Sequence, residues 1–258
     1  MPGTTTGTDA LWELAHAQRA SLARDLAALR PEQWRAPTLC GEWDVEDVTA
    51  HLSAAASVGR GRWIRSMLLA GFRPGVHNRR RLAEHRGASP AGTLERFREV
   101  MDLSIAPSSD IPAYLGEVVV HAQDIRSPLG IPTRPGIEAL LPVAEFFVAR
   151  NFTVPSRRNA TGLRLVATDA SFTAGAGPEV KGTLLALVMC LAGRAAYLDE
   201  LDGPGMPLLR ARIATSRPKW WSTVSSLIAG TIIGSWRPMA PRSGSRTPDR
   251  SGSGDSPA

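Results

Sequence analysis

Apolar residues recur at helical spacing from the start of the chain. Leu11, Leu14, Ala15, Leu22, Leu26 and Leu29 predict a first helix over residues 9–29, opened by Thr8 or Asp9 and closed by Arg30-Pro31. Residues 34–43 carry two Trp residues with Pro and Gly punctuation and predict a loop that packs down. Asp44 is the expected N-cap of a second helix, with Glu46 and Asp47 in its first turn and Val45, Val48, Leu52 and Ala55 as its apolar stripe. Further helices are expected over residues 60–70, from Ser89-Pro90 toward Pro107, over 112–125, and from Pro135 or Gly136 to Asn151. Helices of this length joined by short loops make residues 1–152 an up-and-down bundle.

The pattern then changes period. Leu163, Leu165 and Ala167 alternate with polar and half-polar neighbours and predict a strand, with Ser171–Ala174 as its partner and Val180 in a third short strand. Gly182-Thr183 opens an apolar helix, and residues 194–201 and 207–213 also read as helical. Residues 160–213 are therefore expected to form a small α+β domain. Beyond residue 214 the chain changes again. Residues 220–236 carry no charge over 17 positions, but Ser, Thr and Gly interrupt them and they are short for a membrane span. The end, rich in Ser, Gly, Pro and Arg, predicts disorder. The fold class is α+β, mostly α.

Composition changes this picture little. At 43% hydrophobic and 21% charged, the 258 residues describe an ordinary globular protein. The formal charge of +6 invites a nucleic-acid reading. Its distribution argues otherwise: net +4 falls after residue 214, so the folded part is close to neutral. No nucleic acid and no membrane are expected as partners. Of the 30 basic residues only Lys181 and Lys219 are Lys, an Arg bias compatible with a GC-rich genome. Two cysteines, Cys40 and Cys190, make no disulfide framework and suit a reduced, cytoplasmic compartment. Residues 1–9 lack the apolar core of a signal peptide.

The candidate chemistry lies in residues 116–125. Glu117 and His121, four apart, share a helix face inside an apolar run, and both are metal-ligand types. His51, beside the stripe of the second helix, is the best third ligand. Two His and one Glu with a fourth position open suit catalytic zinc or another divalent first-row ion. Asp124, three after His121, and Asp47, four before His51, could each hold an imidazole in one tautomer. Spacing alone leaves a second reading open, in which these are hydrogen-bonded core histidines and surface carboxylates.

Three blocks of residues point further. Trp34, Pro37-Thr38-Leu39-Cys40-Gly41-Glu42-Trp43-Asp44 and His51-Leu52 resemble the N-terminal signature of the mycothiol-dependent maleylpyruvate isomerase family, part of the DinB-like metalloprotein superfamily. Gly116-Glu117, His121, Asp124-Ile125-Arg126 and Pro128-Leu129-Gly130 resemble its second signature. Gly177-Pro178-Glu179-Val180, Gly182 and Leu191-Ala192-Gly193-Arg194 look like its C-terminal domain. The resemblance spans residues 9–213. It implies a DinB-like bundle with a small α+β domain, a metal held by His51, Glu117 and His121, with zinc the expected ion, and mycothiol as the thiol cofactor, typical of actinobacteria. It also implies a small electrophilic substrate: the thiol would add to it, then leave after bond rotation in an isomerase, or stay in an S-transferase. Arg194 is the candidate catalytic residue, its fork suited to a substrate carboxylate; Arg126 is the lesser one. The rival expectation is a non-catalytic DinB-like binding or regulatory module. A third, a membrane-tethered protein, rests on residues 220–236 alone.

Overall fold

The computed structural model describes residues 7–59, 61, 74–106, 108–151 and 154–215. The helix expected over 60–70, the uncharged stretch 220–236 and the tail expected to be disordered lie outside them, apart from Gly61. Among the described residues no helix is long and apolar enough to cross a membrane.

Helix α1 runs Gly7–Ala27 and is followed by a short 3-10 turn, Pro31–Arg35. Helix α2, Val45–Ser57, opens as expected: the Asp44 carboxylate accepts the Asp47 N–H at 2.8 Å. Helix α3, Pro74–His85, takes in the Arg-rich run. Helix α4, Pro90–Arg98, is capped by Ser89, whose hydroxyl accepts from Gly92 N–H, and stops well before Pro107. Helix α5 is Ile111–Arg126 and α6 is Ile137–Ala149.

Helix α5 is buried nearly all round, its polar residues included, packed by α1, α2 and α6. Gly116 sets its approach to α6. A Cβ there would stand 3.2 Å from a Val143 methyl and 3.3 Å from the Phe147 ring, so only glycine fits without a shift. The one-turn helix α7, Ser156–Ala160, leads into the sheet. Strands β1 (Arg164–Ala167), β2 (Thr173–Ala174), β3 (Glu179–Gly182) and β4 (Leu201–Asp202) lie in the order β2-β1-β3-β4. β1 pairs antiparallel with β2 and parallel with β3.

Helix α8, Leu184–Leu191, is buried along its whole length between α6 and the sheet. Thr183 caps it, and the Asp169 carboxylate accepts the Leu184 N–H at 2.7 Å. Residues 194–201, expected to be helical, form a 3-10 helix, Ala195–Glu200, that hands Leu201 to strand β4. The chain described ends in α9, Met206–Thr215. One hydrophobic core runs unbroken from Ala15 and Leu22 of α1 to Leu187 of α8 and Val180 of β3. The fold class is thus the expected one, mostly α with a small four-stranded sheet.

Candidate metal centre

Three local structures aim side chains at one point. The first is the loop before α2. Pro37 and Asp44 face each other in an isolated antiparallel bridge, and the Thr38 hydroxyl donates to Trp43 O at 2.8 Å while accepting the Cys40 N–H at 3.1 Å. Gly41, at φ +70°, takes the left-handed turn that a side chain resists. Leu39 N–H donates to Asp124 O at 3.0 Å and pins the loop to α5. The tight loop and its Asp44 cap fix where α2 begins, and so place His51 on the turn facing α5.

The second is α5 itself. Glu117 and His121 stand one turn apart, with Glu117 Oε1 3.5 Å from His121 Nε2. His51 Nε2 donates to the same Oε1 at 2.8 Å. The two imidazoles meet edge to face with centroids 5.0 Å apart, and the Trp43 ring lies 5.0 Å from His51. One ligating atom from each of His51, Glu117 and His121 falls within 4.8 Å of the others.

The third is the end of α8. Gly193, at φ +86°, closes it: Gly193 N–H donates to Cys190 O and Arg194 N–H to Met189 O, both at 2.9 Å. This double reverse bond is a Schellman cap. It turns the chain so that Arg194 reaches Asp124 with Nε at 2.9 Å and a terminal nitrogen at 2.6 Å, one to each carboxylate oxygen. Asp124 Oδ2 in turn accepts from His121 Nδ1 at 2.9 Å. A carboxylate paired with a guanidinium is an acceptor, so Nδ1 donates to it; Nε2 faces Glu117 and His51, as an N–H in the cationic ring and as a lone pair once the ring is neutral.

The electrostatics keep this array ionised. Burial favours a neutral Glu117, but hydrogen bonds from His121 and His51 outweigh it and hold the carboxyl well below its ordinary range. Burial likewise opposes the Asp124 charge, and Arg194 more than offsets it, so that pKa too is lowered. At His121 burial disfavours the cation, yet Cys40, Asp124 and Glu117 together raise its pKa well above the usual value. Burial pushes the Cys40 thiol up.

The structure thus gathers His51, Glu117 and His121 at ligating separations. Two imidazole nitrogens and one carboxylate oxygen fit a first-row divalent cation. Cys40, His121 and Asp124 form a second cluster within 4.8 Å that shares His121. Among the expected supports, Asp124 backs His121. Asp47 does not back His51: its carboxylate accepts from Arg86 at 2.7 Å. Arg126 is held away from the centre by Asp25 at 2.8 Å and by the Ser21 hydroxyl at 3.0 Å. Arg194 spends its fork on Asp124 and a further N–H on Ala192 O at 2.7 Å.

Sequence reasoning missed that Arg194 and Asp124 pair, and that Cys40 sits against His121. It also missed Glu46, buried at the foot of α2, which accepts from Thr93 Oγ1 at 2.8 Å and from Arg86 at 2.8 and 3.1 Å. Cys40 had a signal, its place inside the first signature. The Asp124–Arg194 pair, 70 residues apart, had none.

Comparison with known proteins settles part of the resemblance. Residues 15–104 match the family model of the mycothiol maleylpyruvate isomerase N-terminal domain. That segment holds the loop 37–44 and His51; Glu117, His121, Asp124 and Arg194 lie beyond it. Among solved structures, the mycothiol-dependent maleylpyruvate isomerase superposes with a TM-score of 0.54 at 17% identity, over 76% of this chain and 92% of that one. A variant of that enzyme with one histidine replaced by alanine superposes equally well, at 16% identity over the same shares. The fold of the chain is therefore that of the maleylpyruvate isomerase. No curated protein matches the chain.

Proposed function

We propose that the chain is a metal-dependent enzyme that uses mycothiol and acts on a small electrophilic substrate, as an isomerase or an S-transferase. The observation that carries this reading is the convergence of His51, Glu117 and His121 within 4.8 Å, in a fold shared with a mycothiol-dependent enzyme. These three residues would hold the ion, with zinc the expected one. Such a cation, when bound, supplies a charge that lowers the pKa of a thiol brought to it.

The remaining roles belong to the chain's own groups. Glu117 stays ionised, accepting from His51 Nε2 at 2.8 Å with His121 Nε2 3.5 Å from the same oxygen. Asp124 holds the His121 proton on Nδ1 and keeps Nε2 available as a ligand. Arg194 anchors Asp124 from the second half of the fold, so this reading makes it a positioning residue. Trp43 shields one face of His51. The free cysteines Cys40 and Cys190, both buried, suit the cytoplasm.

The test is metal analysis of the purified full-length protein together with its retention on immobilised mycothiol. About one divalent ion per chain, lost in Glu117→Ala, and retention that depends on the ion are expected. A protein that takes up no divalent metal ends the proposal. Metal uptake without thiol-dependent turnover of any electrophile would leave a binding module instead.

A further inference from the structure

One helical turn before Glu117, α5 carries Tyr114, only 5% exposed, and its hydroxyl has no hydrogen-bond partner among the described residues. Arg19 of α1 lies over the Tyr114 ring, 5.7 Å from its centroid, and is 0% exposed. Its two terminal nitrogens donate to Val100 O at 2.7 Å and Leu103 O at 2.9 Å, tying α1 to the turn after α4. Among the described residues its Nε–H has no partner, and no carboxylate stands within ion-pair distance of it.

A buried guanidinium without a counter-ion is costly, and so is a buried hydroxyl without a partner. Other buried atoms lack partners singly, among them Arg126 Nη1 and Asn159 Oδ1, but the buried Arg126 and Arg194 each face an aspartate, which Arg19 does not. The charged groups around Arg19 do not supply the missing anion. Asp102 acts on it only at longer range, and His16 contributes no negative charge. Burial pushes the Tyr114 phenol up to about 12, so it is a donor at any physiological pH. Two donors and a positive charge, with no acceptor, call for an acceptor that carries negative charge.

We propose that Tyr114 Oη–H and Arg19 Nε–H form an anion subsite beside the metal centre, which takes a carboxylate group of the substrate. Tyr114 and Glu117 are three residues apart on α5, so a carboxylate held here lies one helical turn from the ligand cluster. A substrate with a carboxylate near its electrophilic carbon could occupy both. This inference rests on the proposed function for the second half of that statement, but not for the binding of an anion.

The experiment uses the full-length protein loaded with zinc, and the probe is maleate, a small dicarboxylate. Maleate should raise the midpoint of thermal unfolding in wild type, and calorimetry should give saturable binding. Tyr114→Phe keeps the ring and removes only the hydroxyl. It should leave the unfolding midpoint of the ligand-free protein unchanged or higher, because no internal bond is lost, and weaken maleate binding by about tenfold. Chloride, titrated separately in chloride-free buffer, distinguishes a general anion site from a carboxylate site: equal or tighter chloride binding overturns the carboxylate assignment. Absence of maleate binding in wild type, wild-type affinity in Tyr114→Phe, or a lowered ligand-free midpoint overturns the subsite. Retention of the same wild-type sample on immobilised mycothiol reads the proposed function separately. Retention without maleate binding sinks only the subsite, and loss of both sinks the larger reading.

Discussion

The two sides of the centre are built differently. His121, 1% exposed, stands at the front of a chain of bonds that runs through Asp124 and Arg194 to the capped end of α8. His51, with a side chain 21% exposed, is bonded to Glu117 and touches the rings of His121 and Trp43, with no buried charge network behind it among the described residues. One histidine is oriented by charges locked in the interior, where each depends on the next. The other is oriented by a helix cap and a loop, and part of it faces solvent. The difference separates two tasks. The α5 side sets geometry and tautomer, and the α2 side can adjust to what arrives.

The sharpest way to break this contrast is Asp124→Ala. It leaves Arg194 buried without a partner and frees His121 to rotate. A loss of about 3–5 kcal/mol is expected in urea unfolding of the metal-free protein. A loss under about 1 kcal/mol would show that the chain of bonds does not hold the α5 side together. Next in size is His51→Ala. Here the stability cost should be about 1 kcal/mol or less, since one partly exposed hydrogen bond goes. Metal affinity should fall further than the roughly 10–100-fold typical of losing an outer partner. If the two substitutions cost the same stability, the asymmetry is not real.

Arg194→Lys is milder. Lysine keeps the charge near Asp124 but cannot make two parallel bonds to it. Metal affinity should drop about tenfold, with the metal still bound at saturation. Calorimetric titration with zinc would read this, and an affinity equal to wild type would remove Arg194 from the positioning role.

How much of this was legible before the structure depends on the range of the interaction. Glu117 and His121 were legible because i and i+4 on a helix are neighbours by geometry alone. The start of α2 was legible through Asp44, whose capping bond is local. Helix α8 was legible through Thr183 and its apolar run. What escaped was nonlocal. Asp124 and Arg194 meet only because α8 ends in a left-handed glycine against α5, and Asp47 goes to Arg86 rather than to His51 because α3 ends beside α2. The helix Ala195–Glu200 was legible as a helix but not as a 3-10 helix, because Leu198 and Leu201 sit at spacings that an α-helix would also satisfy. The unpartnered Tyr114 and Arg19 could not be read at all. Both look like ordinary members of helical stripes until the facing side chains are in place.

The smallest effect, and the one that separates the two sides by titration, is the pH dependence of stability in the metal-free protein. Asp124 and Glu117 have lowered pKa values when folded, so their contribution is complete above the unfolded values near 4 and drains as pH falls through the folded ones. His121 has a raised value, so its contribution is complete below about 6.5 and is lost as pH rises through the folded pKa. Metal-free stability should therefore be greatest between about pH 4.5 and 6.5 and decline on both sides. Ligation requires a neutral imidazole, so the stabilisation added by zinc should grow as pH rises across the range where His121 loses its own contribution. Urea midpoints measured from pH 3.5 to 8.5, with chelator and with zinc, give both curves. A metal-free curve without the alkaline decline would mean that His121 is not held as a cation by Cys40, Asp124 and Glu117 around it, and the contrast between the two histidines would then lose its electrostatic basis.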